Sequence, residues 1–305
     1  MRIGIDLGGT KTEIIVLDRN QEIYRKRVPT PTRTYEETVH CLRDLVKEFE
    51  GHPLCAGHTP SVGIGIPGTL SAETGLVKNA NSTQLIGHPL DRDLEAAIGR
   101  PVRIANDANC FALSEATDGA AAGADVVFGV ILGTGCGGGL VVGGRPLIGA
   151  NGIAGEWGHN PLPNPSPEER AAMPVCYCGR TGCIETWISG TGFAADYART
   201  SGHTLTGKEI AARAAAGETA ALEARGRLEA RIARCLAGVV NIVDPDCIVL
   251  GGGLANLPDL AKRLAALWHP WIFSDTVRTR LCTARHGDSS GVRGAAWLWP
   301  ETGSS

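Results

Sequence analysis

No apolar run in this 305-residue chain approaches the roughly 20 residues that span a bilayer, which argues against a membrane-embedded protein. Basic residues are not in excess. The 29 Lys and Arg against 32 Asp and Glu leave a formal net charge of −3, without the broad positive surface that nucleic acid demands or the polybasic run that holds a protein to lipid. No leader is expected, since the chain runs at once into an apolar strand carrying Asp6. Ten cysteines are too few and too scattered over this length for a disulfide scaffold. Seven of them (Cys41, Cys55, Cys110, Cys136, Cys235, Cys247 and Cys282) lie mostly in apolar surroundings, as reduced core thiols do. A cytoplasmic protein of a reducing compartment is expected, long enough for two domains and a sizeable core. Also missing are the Walker A spacing and the Rossmann fingerprint, so neither of those nucleotide-binding designs applies.

What the chain does have is concentrated between Gly155 and Ile188. Gly-Glu156-Trp-Gly-His159 precedes a Pro-rich loop, and Cys176-Tyr-Cys178-Gly-Arg-Thr-Gly-Cys183-Ile-Glu185 follows it. One imidazole and three closely spaced thiols suit a four-coordinate zinc, and four protein ligands leave no open position, so such a zinc is structural. Gly179 and Gly182 let the backbone turn tightly enough for the sulfurs to converge. Cys-x-Cys alone signals little more than redox activity or burial; the longer pattern with its upstream His favours metal. Glu156 and Glu185 flank the ligands, and a metal knot would hold both acids at one rigid place, as a wall for a polyol.

Elsewhere the chain reads as two α/β halves. Two apolar strands flank the Gly8-Gly9-Thr10 turn, giving a hairpin whose backbone N–H groups suit phosphate oxygens and whose Asp6 suits hydrated Mg²⁺; an ordinary tight hairpin fits as well. A third strand over 21–29 follows, then a helix opened by the Thr34-Tyr-Glu-Glu37 capping box, with Val39, Leu42, Val46 and Phe49 as its core stripe. A buried strand ends at Pro67-Gly68, and the polar loop Lys78–Thr83, with Asn79 and Asn81, faces either a hydroxylated ligand or solvent. The strand Pro101–Ala105 delivers Asn106 and Asp107 just before a helix, where open α/β sheets place ligands; Asp107 is otherwise a helix cap. Val126–Leu132, the Gly133-Thr134-Gly135-Cys-Gly-Gly-Gly139 turn and Leu140–Val142 repeat the opening hairpin, which points to an internal duplication with a cleft between the halves and a nucleotide phosphate clamp. A long helix over 219–243 carries Leu228, Ile232, Leu236, Val239 and Val243 on one face. The strand after it ends in Gly251-Gly252-Gly253, where either adenine lies close to the backbone or the turn needs positive φ. Domains are expected over 1–117, with a terminal helix at 290–300 packing back on it, and over 118–289.

Asp6-Leu-Gly-Gly-Thr10, Asn106-Asp107, Gly133–Gly139, Glu156-x-Gly-His159, Cys176-x-Cys-Gly-x-x-Gly-Cys183 and Gly251-Gly-Gly253 occur in the order seen in ROK sugar kinases, and the chain resembles that family over essentially its whole length. The resemblance implies the duplicated actin-like, hexokinase-like (ribonuclease H-like) α/β fold. It implies ATP, Mg²⁺ and a structural zinc held by His159, Cys176, Cys178 and Cys183. Asp107 is similar to the family's catalytic base, and Gly68, Asn81, Asn106, Glu156, His159 and Glu185 to its sugar contacts. Asp6, Gly8, Gly9, Thr10, Lys11, Gly133, Thr134, Gly135 and Gly251–Gly253 are similar to its nucleotide contacts. His159 would give one ring nitrogen to zinc and the other to a sugar hydroxyl. Family members are commonly dimers or tetramers, so a homodimer is expected. Asn79–Thr83, the long Pro161–Pro174 loop and the His286–Gly291 ending resemble the fructokinase/mannokinase branch, which makes fructose the expected hexose, with N-acetylglucosamine kinase or glucokinase as the alternative. Sugar-responsive repressors share the fold behind a DNA-binding domain; here Asp6 already lies in the first strand and no DNA footprint appears. A non-catalytic sugar-binding scaffold has no use for Asp107 beside two phosphate hairpins.

Overall fold

The computed structural model describes residues 1–80 and 82–300. In chain order the elements are β1 (Arg2–Leu7), β2 (Lys11–Asp18), β3 (Gln21–Pro29), α1 (Tyr35–Glu50), β4 (Ser61–Ile66), β5 (Thr69–Leu70), β6 (Val77–Lys78), α2 (Leu90–Ile98), β7 (Val102–Asn106) and α3 (Asp107–Thr117). They continue as β8 (Val126–Leu132), β9 (Cys136–Val142), β10 (Arg145–Pro146), α4 (Pro167–Ala172), α5 (Glu185–Ile188), α6 (Gly190–Ser201), α7 (Gly207–Ala215), α8 (Thr219–Val243), β11 (Cys247–Gly251), α9 (Leu260–Leu267), β12 (Arg280–Thr283) and α10 (Ser290–Trp297). Among the described residues no helix is long and apolar enough to cross a membrane. Two compact units result. The first comprises Met1–Gly123, Gly139–Ala154 and the chain from Asp288 on; the second comprises Ala124–Gly138 and Gly155–Gly287. The stretch expected as one contiguous domain over 118–289 therefore gives Gly139–Ala154, and at its ends residues 118–123 and 288–289, to the first unit.

Both five-stranded sheets follow one plan. The first runs β3-β2-β1-β4-β7, antiparallel through the β1–β2–β3 meander and parallel from β1 to β4 to β7. The second runs β10-β9-β8-β11-β12, with β10 antiparallel to β9 and with β8, β11 and β12 parallel. This recurrence is the duplication that the two glycine hairpins suggest. In the first sheet β1 and β4 are buried almost throughout, as parallel strands covered on both faces must be. One face packs Ile3, Ile5, Ile64 and Ile66 with Leu42, Val46 and Phe49 of α1 and with Leu90 and Leu94 of α2. Behind the sheet, Ala105, Cys110 and Ala295 bring β7, α3 and α10 together in a smaller cluster built of small side chains.

Local chemistry accounts for the element ends. Thr34 Oγ1 accepts from Glu37 N at 3.2 Å and starts α1. Helix α8 stops where Asp244 takes a left-handed φ of 47° and its N–H returns to Val240 O. Leu228, Ile232 and Leu236 are buried as expected and Val240 continues their four-residue spacing, while the expected Val239 and Val243 are only half-buried. The Pro-rich loop before Cys176 is not all loop: Ser166 and Glu169 form a reciprocal capping box that nucleates α4.

Candidate active site

In the first unit, β7 ends on Asn106 and α3 begins on Asp107. The cap is Asn106, not Asp107. Its Oδ1 accepts from Ala108 N at 2.9 Å and its Nδ2 donates to Gly68 O at 3.1 Å. Asp107 Oδ1 also accepts from Ala108 N, at 2.8 Å, so the carboxylate is held at the positive end of α3. Asn106 is thus chiefly a brace that ties the Gly68 turn to the helix start. Gly68 itself lies at φ 104°, and a Cβ there would meet Ala80 N and Cα at 2.9 Å. Asn81, expected to touch sugar, lies outside the described residues.

Beside this helix start stands Asp6 on β1. Burial, and then the negative charges of Asp107 and Glu13, push its carboxyl from 3.8 up to about 7, with Arg27 opposing. The turn after it is strapped by Gly8 N to Lys11 O at 3.0 Å, Thr30 N to Thr10 O at 3.0 Å and Thr30 Oγ1 to Gly8 O at 2.7 Å. Gly9 has open space where a side chain would stand, and Thr10 and Lys11 are exposed, as a ligand-facing turn requires.

The raised Asp6 value has a consequence for stability. The folded protein keeps the proton to about pH 7, whereas the unfolded chain releases it near the ordinary carboxylate value, so between the two the unfolded state binds fewer protons and stability falls as pH rises, levelling above about pH 7. A rise of that size corresponds to at most about 4 kcal/mol. In Mg²⁺-free buffer, Asp6→Asn is expected to melt several degrees above the parent at pH 8, with the gap closing towards pH 4. A pH-independent gap between the two melting curves would show that Asp6 is not held protonated.

In the second unit the four residues expected to hold zinc converge. One donor atom each from His159, Cys176, Cys178 and Cys183 lies within 4.8 Å of all the others. Cys176 Sγ is 3.5 Å from His159 Nδ1 and Cys178 Sγ is 3.6 Å from Cys183 Sγ. Zinc bonds of about 2.0–2.3 Å at the tetrahedral angle space their ligands by about 3.5–3.8 Å; these two pairs stand at that spacing, and the donor set of one imidazole and three thiols is one that suits the ion. Gly179 and Gly182 take φ of 86° and 71°, the tight turning expected of them. The backbone N–H and guanidinium of Arg180 hold the Cys178 thiol down to about 6, whereas burial raises Cys183.

Around this knot, Glu156 opens the short 3-10 turn Trp157–His159, whose Trp157 is buried and donates from Nε1 to Gly137 O at 3.0 Å. Glu185 Oε2 accepts from Cys136 N at 2.9 Å, and a Cβ on Gly135 would lie 2.6 Å from that oxygen. Gly135, expected as a phosphate glycine, therefore first makes room for Glu185. His159 Nε2, the nitrogen expected to meet sugar, pairs with Tyr177 Oη at 2.9 Å, with the rings edge-on at 86°. Tyr177 is a residue that the sequence does not single out: its place between two of the candidate ligand cysteines is plain from the chain, but the direction of its side chain onto His159 is not. Thr134 O accepts from Thr191 Oγ1 at 2.8 Å and Gly133 O from Gly190 N at 2.7 Å, which fixes the second glycine turn to the start of α6. Of the third glycine cluster, Gly252 needs its φ of 82° and packs against the Leu132 backbone, while Gly253 faces open space.

A sequence model described as the ROK family matches residues 2–302. The chain is 44% identical over 302 residues, 98% of each protein, to an N-acetyl-D-glucosamine kinase of Yersinia pseudotuberculosis. Its fold matches the crystal structure of a ROK hexokinase from Thermus thermophilus with a TM-score of 0.85, 33% identity and 97% of each chain covered. A ROK family glucokinase from Streptomyces griseus, solved with glucose and AMPPNP, matches with a TM-score of 0.75 and 28% identity, over 97% of this chain and 98% of that one.

Proposed function

The chain belongs to the ROK family, with its actin-like duplicated fold and ATP-dependent sugar kinase chemistry, and from that premise we propose that its sugar is N-acetyl-D-glucosamine, phosphorylated on the 6-hydroxyl. The observation that carries this reading is the 44% identity, over 98% of both chains, to a kinase for that sugar. It favours N-acetylglucosamine over the fructose expected from Asn79–Thr83 and His286–Gly291.

The proposed roles are those that the resemblance to the family implies, placed on the geometry above. Asp107, fixed at the α3 N-terminus, accepts the proton of the sugar hydroxyl as its oxygen attacks the γ-phosphorus of ATP. Glu156, His159 and Glu185 hold sugar hydroxyls, with Tyr177 Oη giving way at His159 Nε2 when a hydroxyl arrives. Asn106 orients Asp107 through the helix start and offers its remaining amide hydrogen. Gly9, Thr10, Lys11, Thr134 and Gly135 meet phosphate oxygens, largely through backbone N–H groups. Asp6 would help hold Mg²⁺, which when bound would offset the charge of the phosphates. Positioning and charge, not covalent chemistry by the protein, supply most of the rate in phosphoryl transfer. A homodimer remains part of this reading on family grounds.

With Mg·ATP, kcat/KM for N-acetylglucosamine is expected to exceed that for glucose, mannose and fructose by at least about 10-fold, since a pocket that pairs an amide rejects sugars lacking it. Fructose in first place would return the sugar assignment to the fructokinase branch, and no ADP with any of the four would point to a sugar-binding regulator.

His159, Cys176, Cys178 and Cys183 would hold zinc, which when bound fixes the segment that carries Glu156 and Glu185. Cys178→Ser is expected to lower thermal stability and sugar affinity together, because binding energy at a structural zinc is folding energy. A stoichiometric zinc content in Cys178→Ser, with unchanged melting, would refute the ligand assignment.

A further inference from the structure

Helix α8 carries Arg227, Arg231 and Arg234 on successive turns of one face. With Arg199 at the end of α6 they line a cavity of about 620 Å³ within the second unit, which Leu267 and Trp271 close on an apolar side. Two buried carboxylates serve these four cations. Asp196 takes Arg199 Nη2 at 2.5 Å, Arg227 Nε at 2.9 Å and Arg231 Nη1 at 3.0 Å. Glu169 takes Arg231 Nε at 2.7 Å and Arg234 Nη2 at 2.9 Å. Four guanidinium groups on two acids leave two positive charges. Glu168, exposed at the mouth, offsets one of them while accepting from Ser166 Oγ at 2.7 Å.

The excess is built in and incompletely used. Arg234 is only 10% exposed, and its Nε is buried with no hydrogen-bond partner among the described residues. A buried guanidinium N–H without an acceptor costs free energy, so the two acids do not fully satisfy the cluster, and the partly exposed Arg199 and Arg227 are left to meet an oxyanion in the cavity. The forked N–H groups of arginine match the oxygens of a phosphate. The volume exceeds what inorganic phosphate fills and lies in the range of small-metabolite sites, and the Leu267–Trp271 wall suits a non-phosphate body.

We propose that this cavity is a second anion site, separate from the catalytic residues, for a phosphate monoester of about the size of a sugar phosphate. None of its residues carries a role in the kinase reading, so the proposal stands or falls independently of which sugar is phosphorylated. A phosphorylated product binding here would make the enzyme responsive to the output of its own reaction class.

Isothermal titration with glucose 6-phosphate, at fixed ionic strength, compares the full chain with the Arg199→Gln/Arg227→Gln double variant. Binding at the catalytic residues is common to both proteins, so any difference between them reports the cavity. The expected result is one additional site per chain in the parent, weakened about 10-fold or more in the double variant, as loss of charge-assisted hydrogen bonds requires. Glu168→Gln, an exposed change that spares the buried pairs, is expected to tighten the same site a few-fold by removing the anion at its mouth. Identical isotherms for parent and double variant, or no tightening in Glu168→Gln, would overturn the site. Equal affinity for inorganic phosphate would overturn its assignment to a sugar-sized monoester.

Discussion

Asp107→Asn is expected to lower kcat by about 100-fold or more while sugar affinity stays within a few-fold of the parent. The substitution is nearly isosteric. Its amide oxygen keeps the 2.8 Å bond that Asp107 Oδ1 accepts from Ala108 N, and Asn106 still caps the helix, so α3 starts at the same place. What disappears is the only property that matters for a general base, a carboxylate able to take the proton. Steady-state kinetics with Mg·ATP measures the first quantity, and equilibrium dialysis with labelled sugar measures the second. Retention of more than a tenth of the parent kcat would remove Asp107 from the base role. A parallel loss of sugar binding would instead make it a sugar-holding residue.

The place of Asp107 is legible in the sequence, because the catalytic candidates sit at element ends and element ends are written locally. Gly8-Gly9-Thr10 between two apolar runs gives the β1–β2 hairpin, and Cys-x-Cys-Gly-x-x-Gly-Cys gives a knot whose donors do converge. The limits of α8 follow from its 3.6-residue pattern and the Asp-Pro that ends it. Side-chain direction is not legible. Nothing in the spacing says that Asn106 Nδ2 spends itself on Gly68 O, that Gly135 yields space to Glu185, or that Tyr177 turns onto His159. Helix α4 is legible and hidden only by its prolines: Ser166-Pro-Glu-Glu169 is a capping box with Pro at the first helical position, where proline is favourable. Long-range ion pairs such as Glu169 with Arg231 and Arg234 join residues more than sixty positions apart and leave no local trace.

The same limit applies most sharply to glycines, and it yields the largest expected change in stability. Gly294→Ala lies inside helix α10, where that exchange ordinarily gains about 1 kcal/mol. Here the sign reverses. A Cβ on Gly294 would stand 2.8 Å from Cys110 Cα on α3 and closer still to the Cys110 carbonyl, and backbone on both sides leaves nothing flexible to give way. The neighbouring contacts are equally tight: a Cβ on Gly63 of β4 would lie 2.9 Å from Ala295 C, and one on Gly4 of β1 would lie 2.7 Å from Ala296 N. Two strands and a helix therefore approach α10 at backbone distance, and its Ser290 Oγ donates to buried Glu115 of α3 at 2.6 Å. Forcing α10 off α3 opens the Ala105–Cys110–Ala295 cluster and shifts the helix whose first residue is Asp107. Gly294→Ala is expected to cost more than about 4 kcal/mol, the range reserved for overpacked or broken cores. Gly226→Ala on α8, where a Cβ meets nothing within 4 Å, is the internal control and is expected to be neutral or to gain up to about 1 kcal/mol. Urea titration of the two variants against the parent decides the matter. If they move the midpoint in the same direction, helix propensity governs both positions, and the backbone contact of α10 is looser than described.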